Sequence, residues 1–183
     1  MRWNIVQLGD MHSQRWRNGG GTTRELLALP TSADWRLRIS VAEVESDGPF
    51  SVFPGVSRWF AVLHGAGVRL RMGGEEYLVE CAGAPLQFDG AVAVDCLLVD
   101  GPTQDLNLMV RGRGAAMRRI AGTNNHRFSA RAIVAVYANA QTTVSVDDER
   151  LVLEAGSLGW RAVDEGAQVV VESADALWME IEP

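Results

Sequence analysis

Apolar residues in this chain recur at every second position in short runs, and glycine or proline soon ends most of the runs. That rhythm writes strands and leaves little room for helices. In Trp35-Arg-Leu-Arg-Ile-Ser-Val-Ala42 it puts Arg36, Arg38 and Ser40 on one side and Leu37, Ile39 and Val41 on the other. Turns follow at Ser46-Asp-Gly-Pro49 and Phe53-Pro-Gly55. Trp59–Leu63 and Val68–Met72 flank His64-Gly-Ala-Gly67 as a hairpin, and Gly73-Gly74 turns into Tyr77–Glu80. Pro85–Phe88, Ala91–Val99 and Leu106–Val110 continue the series. Helical character is confined to Gly114–Ile120, which predicts one short helix.

The chain also lies over itself. Ala61–Glu80 matches Val134–Leu153 without a gap, with Leu78-Val79 on Leu151-Val152 and Glu76 on Glu149. The shared unit is strand, turn, strand, acidic turn, strand, glycine. Such units build small antiparallel barrels and jelly rolls. The expected architecture is therefore all-β: a bicupin, two packed antiparallel β-barrels with at most short helices. The first barrel is expected over about 1–111 and the second over about 125–183. Between Leu106 and Val146 there is no Asp or Glu, while Arg111, Arg113, Arg118, Arg119, Arg127 and Arg131 all fall there. This stretch reads as a solvated connector.

Composition excludes several function classes. The net charge of −6 argues against a nucleic-acid partner, because phosphate binding is driven by positive charge. No apolar run reaches the roughly 18 residues that span a bilayer. The first ten residues lack the plan of a signal peptide, so the expected compartment is the cytoplasm. All 17 basic residues are arginine, which removes the P-loop lysine and any Schiff-base lysine. Cys81 and Cys96 sit in apolar sequence and read as buried, inert thiols. His12, His64 and His126 form no His-x-His or His-Glu-x-x-His pattern, so neither a metal nor another cofactor is expected.

Four segments could carry chemistry. Gly19-Gly-Gly21 fits either an anion-binding nest of N–H groups or a crowded bend entering a strand. The Arg36/Arg38/Ser40 face, taken alone, reads as the wet side of a sheet, although an inward Arg would need a carboxylate partner. In Asp105-Leu-Asn-Leu-Met-Val110, Leu106, Leu108 and Val110 must face a core, leaving Asp105, Asn107 and Met109 to line a pocket or a solvated face. Phe50 and Phe53 read first as core anchors and second as pocket walls. Arg58 could bridge to Asp47 or Glu43, or face a ligand.

Together, Trp16-x-Asn-Gly-Gly-Gly-x-Thr-x-Glu25, Arg38-x-Ser-x-Ala42, Gly48-Pro-Phe-Ser-x-Phe-Pro-Gly-x-x-Arg58, Phe88-x-Gly90 and Asp105-Leu-Asn-x-Met109 resemble the HutD/Ves family. The resemblance runs from the N-terminus to about Arg111. It implies an RmlC-like bicupin, cytoplasmic and bacterial, with no established enzymatic activity. For the HutD branch it implies binding of a small carboxylate (urocanate, N-formylglutamate or a formate-like group) in moderation of histidine utilisation. For the Ves branch it implies a part in cold and stress response. The implied ligand-binding residues are Trp16, Asn18, Gly19, Thr22, Arg38, Ser40, Phe50, Arg58, Asn107 and Met109. The rival is a cupin-type enzyme, an isomerase, epimerase or formyl-amino-acid hydrolase, with His64, Glu25 or Asp105 as base. A homodimer is a further expectation, with Trp35 and Trp178 as candidate interface residues.

Overall fold

The computed structural model describes residues 2–147 and 149–183, and its regular structure is almost entirely antiparallel strand. Two compact units emerge. One is Met11–Gly112; the other is Arg113–Pro183 joined by the N-terminal residues up to Asp10. The N-terminal strand β1 (Asn4–Gln7) therefore belongs with the second unit, not with the first barrel expected over 1–111. It pairs with β16 (Ser157–Val163), a contact across about 150 residues that no local pattern could announce.

The Met11–Gly112 unit is a sandwich of two sheets. The larger holds β2 (Ser13–Arg15), β3 (Gly21–Pro30), β4 (Trp35–Val44), β11 (Thr103–Arg111), β6 (Val56–His64) and β9 (Leu86–Asp89), in that order. The smaller is β5 (Gly48–Pro49), β10 (Asp95–Leu98), β7 (Val68–Met72) and β8 (Glu75–Val79). Val44, Phe60, Val62 and Phe88 from the first meet Val68, Leu70, Val79 and Cys96 from the second in one core. Each large side chain so buried contributes about 1.5–3 kcal/mol. Leu37, Ile39 and Val41 form the other face of β4 and are also buried, so this central strand is enclosed on both sides over most of its length.

In the second unit the sheet curls on itself. The long strand β17 (Gln168–Ile181) pairs along one edge with β12 (Ala115–Arg127). Along its other edge the first half pairs with β14 (Thr142–Val146) and the second half with β13 (Ala132–Ala138). The hairpin β14–β15 (Glu149–Leu153) lies at one margin. Valines 134, 136, 144, 146, 163, 169 and 171 fill the interior with Phe128 and Trp178.

Several expectations change here. Gly114–Ile120 is not a helix: it opens β12, whose Met117 pairs with Met179 and whose Ile120 is buried. Ala, Met and Arg favour helix intrinsically, but pairing along all of β17 overrides a propensity of a few tenths of a kcal/mol per residue. Most of the arginine-rich stretch is for the same reason sheet, and the join there between the two units is confined to the residues between Arg111 and Ala115. Within the stretch Arg118 lies over the Trp178 ring and Arg119 is 3.6 Å from Asp175. Trp178 itself is a core residue, 1% exposed, and not an interface one. Cys96 is buried but Cys81 is exposed, its thiol directed at the Leu63 carbonyl at 3.2 Å.

The internal repeat is real but one residue out of register. Val68–Met72 and Glu75–Val79 correspond to Thr142–Val146 and Glu149–Leu153, an offset of 74 where the ungapped match used 73. Buried Val79 thus matches buried Leu153, and exposed Leu78 matches exposed Val152. A slip of one residue exchanges the two faces of a strand, so only burial reveals the true alignment.

Candidate functional site

One face of the larger sheet in the Met11–Gly112 unit is the floor of a cavity of about 540 Å³. Strand pairing sets its residues in rows. Arg38, Met109 and Arg58 lie side by side on β4, β11 and β6; Ser40, Asn107 and Phe60 form the next row. A third row carries Thr23, Ala42, Asp105 and Val62. Walls come from Gln14–Asn18 and from Pro49–Ser51 with Phe53.

Eight of the ten expected ligand residues line this space: Trp16, Asn18, Arg38, Ser40, Phe50, Arg58, Asn107 and Met109. The solvated-face reading of Arg38 and Ser40 gives way, as does the reading of Phe50 and Phe53 as core anchors alone. Thr22 and Gly19 are not among the lining residues. Thr22 pairs with Glu43 and so faces away, and Thr23, the threonine of the glycine motif, takes its place beside Ala42. The motif's own spacing contained that signal, because strand residues alternate sides.

The glycine segment is a crowded bend. Gly19 has φ +75°, and the Gly20 N–H already donates to Asn18 Oδ1 at 3.0 Å. At Gly21 a Cβ would stand 2.2 Å from the Glu43 carbonyl oxygen and 3.3 Å from the Trp16 ring. Gly21→Ala is therefore expected to push β3 off β4 and to cost about 1–3 kcal/mol, read as a thermal midpoint lower by several degrees. A midpoint equal to that of the unsubstituted protein would show that the backbone yields there. The bend seats Trp16, whose indole N–H donates to Thr23 Oγ1 at 2.7 Å and whose ring meets Phe50 edge-on at 6.3 Å.

Arg58 is the centre of the site. It is 5% exposed, and its guanidinium lies within 5.0–5.5 Å of the ring centres of Phe88, Phe50 and Phe53. Its NH1 donates to the Ser51 carbonyl and its NH2 to Asn107 Oδ1, both at 3.2 Å. Neither acceptor is an anion, and among the described residues Arg58 forms no ion pair with Asp47, Glu43 or any other carboxylate. Burial, and then the Arg38 charge, lower its pKa from 12.5 to about 10. The bond from Arg58 also orients the Asn107 amide, leaving that side chain's nitrogen as a donor. Arg38, by contrast, is satisfied: its Nε donates to Glu25 Oε2 at 2.8 Å.

None of the three candidate bases lines the cavity. His64 is exposed at the end of β6, and Glu25 is engaged by Arg38 and Ser32. Asp105 is fully buried in the third row, accepting from Thr103 Oγ1 at 2.9 Å while its other oxygen has no partner among the described residues. Burial pushes its pKa from 3.8 up to about 8; the Thr103 hydroxyl opposes this and Glu43 reinforces it. Among the described residues no three His, Cys, Asp or Glu side chains converge as a metal set, and no helix is long and apolar enough to cross a membrane.

Two cupin-type β units, one enclosing a guanidinium-floored cavity, define a bicupin. Comparison with known proteins then places it: the HutD family profile matches residues 9–180, and the chain belongs to the HutD family. It is 30% identical over 148 residues to an uncharacterised 21.2 kDa protein in the hutC 3′ region of Pseudomonas putida, a match covering 78% of this chain and 77% of that one. It is 40% identical over 108 residues to protein Ves of Cronobacter sakazakii, where the match covers 58% of this chain and 60% of the relative's length. The solved structure of HutD from Pseudomonas fluorescens SBW25, in a formate condition, superposes with a TM-score of 0.85 at 27% identity and covers 98% of both chains.

Proposed function

We propose that this protein binds a small carboxylate metabolite in the Met11–Gly112 cavity, without turning it over, and thereby moderates histidine utilisation. The observation that carries the reading is the Arg58 guanidinium: buried, cradled by three aromatic rings, and paired among the described residues with two neutral acceptors and no anion. A charge held out of water without a counter-charge is costly unless a ligand supplies one. Arg58 and the Asn107 amide would hold the acid group, Ser40 and Thr23 the remaining polar atoms, and Phe50, Trp16 and Met109 the apolar body. Among the described residues the cavity's lining contains no Asp, Glu, His, Cys or Tyr, so it offers binding groups without a general base. The link to histidine utilisation is carried from the relatives named for the hut region. The hutC-region relative also covers more of this chain than Ves does.

A thermal-shift titration of chelator-treated protein tests the reading with urocanate, N-formylglutamate, formate, glutamate and histidine. At about 100 times the dissociation constant a ligand adds roughly 2.7 kcal/mol, several degrees for a chain of this size. Selective stabilisation by one carboxylate is expected. No shift with any of them would overturn the assignment.

A further inference from the structure

We infer that the ligand of this cavity is an elongated dianion, bound by two separate cationic subsites; this rests on the carboxylate-binding reading and narrows it. Among the described residues four arginines line the space, Arg15, Arg17, Arg38 and Arg58, and no acidic residue does, in a chain whose net charge is −6. Arg38 is neutralised by Glu25 at 2.8 Å, and Arg15 lies 3.5 Å from Glu45. Arg58 and Arg17 have no carboxylate within ion-pair distance among the described residues. The uncompensated cations are thus two, and they occupy different places. Arg58 is buried on the strand floor; Arg17 is exposed in the wall segment beside Asn18.

A monoanion seated on Arg58 leaves Arg17 without a counter-charge and much of a 540 Å³ cavity to solvent. A second acid group a few carbon atoms from the first would meet Arg17, with Arg15 close by in sequence. The stem between the two acids would lie along Trp16, Phe50 and Met109. The deep subsite supplies binding in a dry setting, whereas the rim subsite supplies selection, since an exposed guanidinium is screened by salt.

The test is calorimetric titration of succinate, glutarate and adipate, each against its own monoamide, with urocanate as a monocarboxylate control. The monoamide keeps length and shape and removes one charge. For the diacid of best length we expect about tenfold tighter binding than its monoamide, a preference that shrinks on raising salt from about 0.05 to 0.5 M. In Arg17→Ala the preference is expected to fall toward one. Equal affinities across every pair in the unsubstituted protein would overturn the dianion inference, and a preference that survives Arg17→Ala would overturn Arg17 as its second subsite. Binding of urocanate with no diacid preference would do the same while leaving the carboxylate reading intact. Silence from every acid, urocanate included, would instead remove that reading.

Discussion

Arg58→Met is expected to abolish carboxylate binding while leaving the empty protein about as stable as before, or more so. A charge-assisted contact to a buried guanidinium is worth about 3 kcal/mol, so affinity should drop at least about a hundredfold. Stability moves the other way for a physical reason. Burial and the Arg38 charge bring the Arg58 pKa down from 12.5 to about 10, which means the fold disfavours the cation it holds. At about 1.4 kcal/mol per unit that is on the order of 3 kcal/mol. Losing the bonds to Ser51 and Asn107, and the ring contacts, offsets part of the relief. Methionine replaces the apolar stem, so an unfolding free energy in urea within about 1 kcal/mol of the original, or above it, is the expected result. A large loss of stability with affinity retained would make Arg58 a structural residue.

The second large effect is a pH dependence written by Asp105. Its folded pKa of about 8 stands above the ordinary 3.8. Between those values the folded protein keeps a proton that the unfolded chain has released. Stability from this group is therefore fully present below about pH 4 and lost as pH rises through 8. Asp105→Asn removes the titration with little change of shape. The variant should match the original near pH 4 and gain on it by up to about 1.4 kcal/mol for each pH unit toward pH 8, several kcal/mol in all. Urea unfolding of both proteins across that range reads the difference directly. A constant gap between the two curves would show that Asp105 is ionised throughout. Cys96, whose thiol is pushed up to about 12 by burial first and then by Asp105 and Asp47, stays neutral over the same range and does not blur the result.

Much of the site was legible because it is built from strands. Period two in Trp35–Ala42 and Asp105–Val110 assigned faces, and the structure aligns those faces in rows across β4, β11 and β6. What alternation cannot supply is sidedness in space. The Arg38/Ser40 face, taken alone, reads as solvent-facing, and what encloses it is the segment Gln14–Asn18 with Pro49–Ser51 and Phe53. The same limit explains the slip of the internal repeat, where Leu78 is exposed beside buried Val79. Arg58 was ambiguous for another reason: the rings that cradle it come from positions 50, 53 and 88, and only the fold brings them together.

The structure of the protein with its best-stabilising carboxylate tests the central claim most directly. The account predicts an acid group within hydrogen-bond distance of the Arg58 guanidinium and the Asn107 amide, with the body of the ligand against Trp16 and Phe50. A carboxylate bound elsewhere in the chain, with this cavity holding only water at saturating concentration, would contradict it.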